Sequence, residues 1–147
     1  MVMIAPTFSN AQCGGVSATT DEFTGVRKIE TKSSKIARGL VFASGLKIDN
    51  DLLAFMIACE DLGCVTNESL AYIKFIDGSV ITIAHTGQTN CGQSSAFGLL
   101  LTFEQQTKLA SVEVDKMRLS GTQKSIDFEV TNKRYFIDVL YCLTNNQ

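Results

Sequence analysis

The sequence predicts an α+β domain, mainly antiparallel β-sheet in the form of a sandwich or half-barrel, with two short helices of which the second is C-terminal. Three patterns predict it. One hairpin pattern spans Leu70 to His85, a second joins Met117 to Phe128, and apolar residues recur at helical spacing from Phe136 onward. Neighbouring strands that alternate apolar and polar residues favour antiparallel pairing.

Composition limits the possible partners. The 147 residues fit one domain, with 45% hydrophobic and 19% charged residues. Thirteen Lys and Arg against fifteen Asp and Glu give a net charge of -2, and neither sign forms a long run. We therefore expect no nucleic-acid partner. No stretch approaches the ~18 apolar residues of a membrane span, so no transmembrane segment is predicted.

The first 20 residues are interpreted as a leader, and residues 21–147 as the domain. Met1 to Ala11 has an apolar opening and ends in Ser9-Asn10-Ala11, a small-x-small pattern typical of signal-peptidase sites. It lacks a basic region and a full apolar region. Two interpretations stay open: the tail of a signal peptide, or an ordinary disordered N-terminus.

The first half of the domain contains one ambiguous segment. Gly25 to Thr31 is predicted as a strand, and the apolar region from residue 36 to residue 60 is broken by a turn at Asp49-Asn50. The composition of Leu52 to Glu60 favours a helix, with Asn50 as its cap. As a strand, the same segment places Leu53, Phe55, Ile57 and Cys59 opposite Leu46, Ser44, Phe42 and Leu40.

The central hairpin has a predicted register. A three-residue loop, Ile76 to Gly78, with Gly78 in the left-handed conformation, pairs Phe75 with Ser79. The same register pairs Ile73 with Ile81 and Ala71 with Ile83, and it turns Lys74, Tyr72 and Thr82 to the other face. His85, the single histidine, continues the apolar face.

The second half is predicted to contain two helices and another hairpin. Thr86 to Ser95 is expected to be a polar loop, followed by a strand from Ala96 to Leu101. Thr102 and Gln105 form a capping-box pattern for a helix that runs to about Ala110. The hairpin then pairs Leu119 with Ile126, Met117 with Phe128, Arg118 with Asp127, and Lys116 with Glu129. Thr131 is expected to cap a final helix that packs on the sheet through Phe136, Val139, Leu140 and Leu143.

Four short motifs carry a resemblance to a family. They are Asp21-Glu22-Phe23-Thr24-Gly25, Asp77-Gly78-Ser79, Asn90-Cys91-Gly92 and the closing segment from Tyr135 to Leu143. The chain resembles a loose group of small exported or lipid-anchored bacterial domains, chiefly from Bacteroidota, that have no assigned activity. The resemblance implies a β-rich fold and export, and it implies a strand at Leu52 to Glu60. It supplies no functional residues.

The cysteines suggest a disulfide. Because Leu70 and His85 are neighbours at the open end of the central hairpin, Cys64 and Cys91 are expected at the same end of the sheet. In an exported protein their disulfide is the first choice, and Cys59 to Cys91 is the second. Cys13 is then expected to be unpaired or intermolecular, and Cys142 to be a buried thiol.

Two chemical hypotheses use the same end of the hairpin. Cys59, Cys64, His85 and Cys91 would supply three thiolates and one imidazole to a zinc ion, although their spacing is not that of a common zinc module. Alternatively, Cys91 would act as a nucleophile with His85 as its base. No phosphate-binding loop or other cofactor motif occurs, so no cofactor is predicted.

The function predicted is a non-catalytic binding or interaction module with an unknown protein or small-ligand partner. The alternative is a small-molecule or metal-binding domain, or a hydrolase of unrecognised type, that uses His85, Cys91 and Cys64. Export to the periplasm or cell surface is expected, with a cytoplasmic location as the alternative. An enclosed pocket at that end of the hairpin would favour ligand chemistry, whereas a flat sheet face or an exposed edge strand would favour protein contacts.

Overall fold

The computed structural model describes residues 13, 15–38, 41–49 and 52–145. The strands are β1 (Ser17–Thr20), β2 (Arg27–Glu30), β3 (Ser34–Ala37), β4 (Val41–Ile48), β5 (Leu52–Val65), β6 (Leu70–Phe75), β7 (Val80–Ala84), β8 (Asn90–Leu100), β9 (Val114–Ser120) and β10 (Ser125–Glu129). The helices are α1 (Phe103–Ser111) and α2 (Tyr135–Asn145).

The strands form two antiparallel sheets, neither of which is closed. The larger sheet has the order β1-β2-β4-β5-β8, and β3 also pairs with β4. The smaller sheet has the order β10-β9-β6-β7. One apolar core, which includes Phe55, Phe75, Phe97 and Phe136, connects the sheets and helices. The predicted α+β fold with a C-terminal second helix is confirmed.

Both predicted hairpin registers are confirmed. In the central hairpin the Phe75 N–H donates to the Ser79 carbonyl at 2.9 Å, and Gly78 has a φ of 90°. In the second hairpin Arg118 binds Asp127 through two hydrogen bonds of 2.6 and 2.8 Å. The remaining pairs also match the predicted registers. Each hairpin therefore separates its apolar and polar faces as its alternation indicated.

The predicted strand at residues 52–60 is confirmed, but its predicted register on β4 is wrong by one residue. Phe55 lies opposite Gly45 and Leu53 opposite Lys47, so Phe42, Ser44 and Leu46 lie on the other face. The packing of helix α2 on β4 explains this shift in register. A Cβ on Gly45 would collide with Val139 and lie 2.9 Å from Leu143 Cδ1, so this close approach requires glycine on the core face. The proposed cap Asn50 and the pairing partner Leu40 lie outside the described residues.

Strand β8 is longer than predicted. It begins at Asn90, whereas the sequence predicted a loop as far as Ser95. Asn90 and Ala96 exchange two hydrogen bonds of 2.8 and 3.0 Å, although six residues of a straight strand would span about 20 Å. The pairing with β5 is irregular between Glu60 and Gly63. The outer parts of β5 and β8 thus form a bent two-stranded ribbon, and its polar residues on β8 lie largely in solvent.

The predictions for the helices are partly confirmed. Thr102 caps α1, and the Gln105 side chain accepts a hydrogen bond from the Thr102 N–H at 2.9 Å, as a capping box requires. Helix α2 buries Phe136, Leu140 and Leu143. Thr131 does not cap it. Its hydroxyl donates to the Ile36 carbonyl at 3.1 Å, which ties β3 to the chain just after β10.

The N-terminal segment contributes a strand. Strand β1 lies on the leader side of the division at residue 21, and it pairs with β2 from Ser17 opposite Glu30 to Thr20 opposite Arg27. The division itself stays a prediction. Residues 1–12, which include the signal-peptide pattern, lie outside the described residues.

The ionised carboxylate of Asp77, in the loop of the central hairpin, stabilises the fold, so we expect a loss of stability in acid. Its carboxylate accepts from Lys108 Nζ of α1 at 2.8 Å and from the Ser79 hydroxyl at 2.6 Å. These hydrogen bonds, that from Lys108 first, lower the pKa of Asp77 well below the ordinary value of an aspartate. A carboxyl whose pKa is lower in the folded state stabilises the fold above its unfolded pKa, and this contribution is lost as the pH falls below it. We expect unfolding free energy to fall as the pH drops below about 4.

The change Asp77→Asn should reduce that acid dependence, measured by urea unfolding across the acidic pH range. Glu22→Gln, on an exposed turn, removes one negative charge elsewhere and should leave the slope near that of the wild type. Equal slopes for wild type and Asp77→Asn would contradict the prediction.

Candidate functional site

Cys64 and Cys91 form a disulfide, as the sequence predicted. They are direct register partners in the outer part of the β5–β8 ribbon, with their Cα atoms 4.1 Å apart. The turn of the second hairpin docks beside them, because the Thr122 N–H donates to the Cys64 carbonyl at 2.9 Å. Cys64 and Cys91 therefore fasten the bent ribbon.

His85 is buried, and both of its ring nitrogens are hydrogen-bonded to backbone. The Gly98 N–H donates to Nδ1 at 2.9 Å, so that nitrogen carries no proton. Nε2 lies 3.0 Å from the Gln88 carbonyl and is therefore the protonated nitrogen. The Thr86 N–H donates to the Gly98 carbonyl at 2.8 Å. His85 and Thr86 thus satisfy both backbone groups of Gly98 at the edge of β8.

Among the described residues, the four predicted zinc ligands do not form a metal site. Cys64 and Cys91 are oxidised, and Cys59 is a separate buried thiol whose Sγ lies 3.4 Å from the Glu60 carbonyl. Burial first, and then the charge of Asp61, raise the pKa of Cys59 and disfavour its thiolate. No group of three or more His, Cys, Asp and Glu side chains in this part of the chain is placed to hold a metal ion.

The disulfide and the hydrogen bonds of His85 also leave no arrangement of Cys91 as nucleophile and His85 as base in this structure. The Cys91 sulfur is bonded to Cys64, and the two imidazole nitrogens are engaged by Gly98 and Gln88. His85 therefore accepts no proton from Cys91 in this structure. The residues predicted as ligand-binding candidates hold the strands together.

Cys13 and Cys142 form a second disulfide, so the prediction that Cys13 is unpaired or intermolecular and Cys142 a buried thiol is wrong. The Cα atoms are 5.5 Å apart across a sequence separation of 129 residues. No local pattern relates the start of the chain to its final helix. The pair therefore depends on α2 packing near the N-terminal segment.

The outer face of the larger sheet exposes several adjacent apolar side chains. We call this surface the outer apolar face; it consists of Phe42, Leu46, Ile48, Leu52, Ala54, Met56, Ala58, Ala96 and Leu100. Four of its large side chains are 36 to 48% exposed, namely Phe42, Leu52, Met56 and Leu100. None of these nine positions is charged. Adjacent apolar side chains in solvent mark interaction sites more often than isolated ones do.

The outer apolar face follows from the composition of β5. Its odd-numbered residues, such as Phe55 and Ile57, enter the core, while Leu52, Ala54 and Met56 point outward. A strand that is apolar on both faces is typical of a sheet covered on both sides. That signal lies in the LLAFMIACE segment, but the uncertainty between helix and strand concealed it.

Within residues 13–145, gaps excepted, no helix is both long and apolar enough to cross a membrane.

No protein-family model matches the chain, and no curated protein or solved structure shows significant similarity to it. The resemblance to a group of bacterial domains stays a prediction.

Proposed function

We propose that this chain is an exported, non-catalytic interaction module that associates with a second copy of itself through the outer apolar face. The observation that carries the proposal is the set of four large apolar side chains exposed together on one open sheet face. Covering this face would release ordered water from adjacent apolar groups, which is the main favourable term in protein association. Two disulfides fit an oxidising compartment outside the cytoplasm.

A second copy is the partner that the charges favour. The nine positions of the outer apolar face are uncharged, and it is bordered by opposite charges, Lys35 opposite Phe42 on β3 and Glu60 at the next outward position of β5. At its β2 border Lys28 and Glu30 form an ion pair of 3.3 Å, so this border carries no net charge either. Open antiparallel sheets pack face to face with their strands roughly aligned, and an isologous dimer needs a surface that is complementary to itself.

Sedimentation equilibrium tests the proposal through Met56→Lys. The wild type is expected to shift from monomer to dimer between about 1 and 100 µM, a range that corresponds to a modest interface. Met56 lies in the middle strand of the outer apolar face, so a lysine there places a charge between the two copies. We expect Met56→Lys to stay monomeric across the range while keeping the wild-type circular dichroism spectrum.

The matched control is Val80→Lys. Val80 is 53% exposed, but it lies on β7 in the smaller sheet, so the same chemical change occurs away from the proposed interface. This variant should dimerise like the wild type. A wild type that is monomeric at every concentration, or a Met56→Lys variant that dimerises normally, would overturn the proposal.

A further inference from the structure

The smaller sheet carries a groove on its outer face. Tyr72 and Lys74 of β6 lie opposite Arg118 and Lys116 of β9, respectively, and Val80 of β7 lies opposite Lys74. The side chains of register partners share a face, so these residues form a grid across three strands. The groove they line has a volume of about 530 Å³. It is thus within the range of small-molecule sites.

Lys74 and Lys116 form an unfavourable pair in the free protein. They are directly opposed across β6 and β9, and like charges in this position destabilise a sheet. Among the described residues, no carboxylate lies within 4.0 Å of either ammonium group. Two exposed lysines therefore lie opposite each other at the groove, and within the described part of the chain neither forms an ion pair.

Two of the three nearby carboxylates are engaged elsewhere. Asp127 is bound by Arg118, and Asp115 accepts from Lys133 Nζ at 2.8 Å. These contacts lower the pKa of both aspartates and keep them ionised and in place. The nearby charges of Lys116 and Lys74 lower the pKa of Asp115 further, so Asp115 offsets part of their charge without binding them.

Glu129 is the third carboxylate and the register partner of Lys116. It forms no ion pair within 4.0 Å in the described structure. It therefore competes with an external anion for Lys116 without being locked onto it.

We infer that this groove binds a doubly charged phosphate group, free or as the monoester of a larger molecule, between Lys74 and Lys116. One compact dianion neutralises both ammonium groups at once, and charge-assisted hydrogen bonds to phosphate are strong. The volume exceeds that of a phosphate alone, so Tyr72 and Val80 are left to contact an organic substituent. This site lies on the other sheet and does not depend on the outer apolar face.

Thermal unfolding at fixed ionic strength tests the inference. Inorganic phosphate and phenyl phosphate are each compared with chloride, because a ligand that binds the folded state raises the unfolding temperature. For Lys74→Gln and Lys116→Gln we expect two opposite effects. Without phosphate each variant unfolds at a higher temperature than the wild type, since the repulsion is removed, and each binds phosphate at least about tenfold more weakly.

Two further variants separate a site from general charge screening. Glu129→Gln removes the competing carboxylate and should bind phosphate several-fold more tightly. Lys35→Gln removes an exposed charge from β3 and should respond to phosphate like the wild type.

Phenyl phosphate that binds more tightly than inorganic phosphate would indicate a monoester ligand, and equal binding would indicate phosphate itself. The inference is wrong if neither compound stabilises the wild type beyond chloride, or if Lys35→Gln weakens the response as much as Lys74→Gln does. Lys74→Gln should leave dimerisation unchanged, so the two proposals fail independently.

Discussion

Replacing Cys13 and Cys142 together by alanine should lower the free energy of unfolding by about 5 kcal/mol, the chain-entropy value for a loop closed across their separation of 129 residues. Small domains have a total stability of roughly 5 to 15 kcal/mol, so the variant should be marginally folded. Urea unfolding without reductant measures the difference. The loss arises because the unfolded chain, freed of its longest covalent loop, gains many conformations.

The matched comparison is the double alanine variant of Cys64 and Cys91. Its loop spans 27 residues, so the expected loss is smaller, about 3 to 4 kcal/mol. In urea without reductant the wild type should expose one titratable thiol, that of Cys59, and its intact mass should rise by four hydrogens on reduction. Five reactive thiols, or equal stability of the wild type and the Cys13 and Cys142 variant, would contradict the pairing.

Gly98→Ala is expected to destabilise the protein by about 2 to 5 kcal/mol, through overpacking and through loss of two hydrogen bonds. A Cβ at this position would collide with the Thr86 carbonyl oxygen and lie 3.6 Å from Met56 Sδ. To make room, the segment after β7 must move away from β8. That movement breaks the bonds from the Gly98 N–H to His85 and from the Thr86 N–H to Gly98.

The control is Gly78→Ala, in the loop of the central hairpin. A Cβ there meets no atom within 4 Å, but the φ of 90° disfavours a side chain. Its cost should be only about 1 to 2 kcal/mol, from backbone strain alone. Thermal unfolding measures the destabilisation of both variants. Proton NMR of the His85 ring reports whether the hydrogen bond from the Gly98 N–H is lost in Gly98→Ala. A Gly98→Ala variant as stable as Gly78→Ala, with an unchanged His85 signal, would show that β8 tolerates the side chain.

Sequence reasoning located part of the candidate surfaces. It placed Tyr72 and Lys74 on one polar face and Lys116 and Arg118 on another, and both hairpin registers are confirmed. It did not bring the two faces together, because the pairing of β6 with β9 joins segments about 45 residues apart, among many alternatives of similar local energy. The opposed lysines of the groove are a consequence of that pairing.

The outer apolar face was missed for a different reason. The composition of residues 52–60 left helix and strand open, and the strand register predicted for them placed Phe42 and Leu46 on the same face as Phe55, one position from the observed pairing. Helix α2 approaches β4 so closely that a side chain at the inward position of Gly45 would collide with Val139. A one-residue shift exchanges the two faces of a strand, so the larger apolar residues point outward.

The sequence by itself determined the features that close within a few residues of chain: the two hairpin registers, the capping box of α1 and the apolar stripe of α2. Short connections leave few alternatives, and alternation or helical spacing selects among them. The pairing of Cys64 with Cys91 was the first choice for an exported protein, because a hairpin carries both residues to one end. Only the tertiary structure decided the Cys13–Cys142 bond, the β6–β9 pairing and the outward face of β4, because each depends on which distant surfaces are buried together.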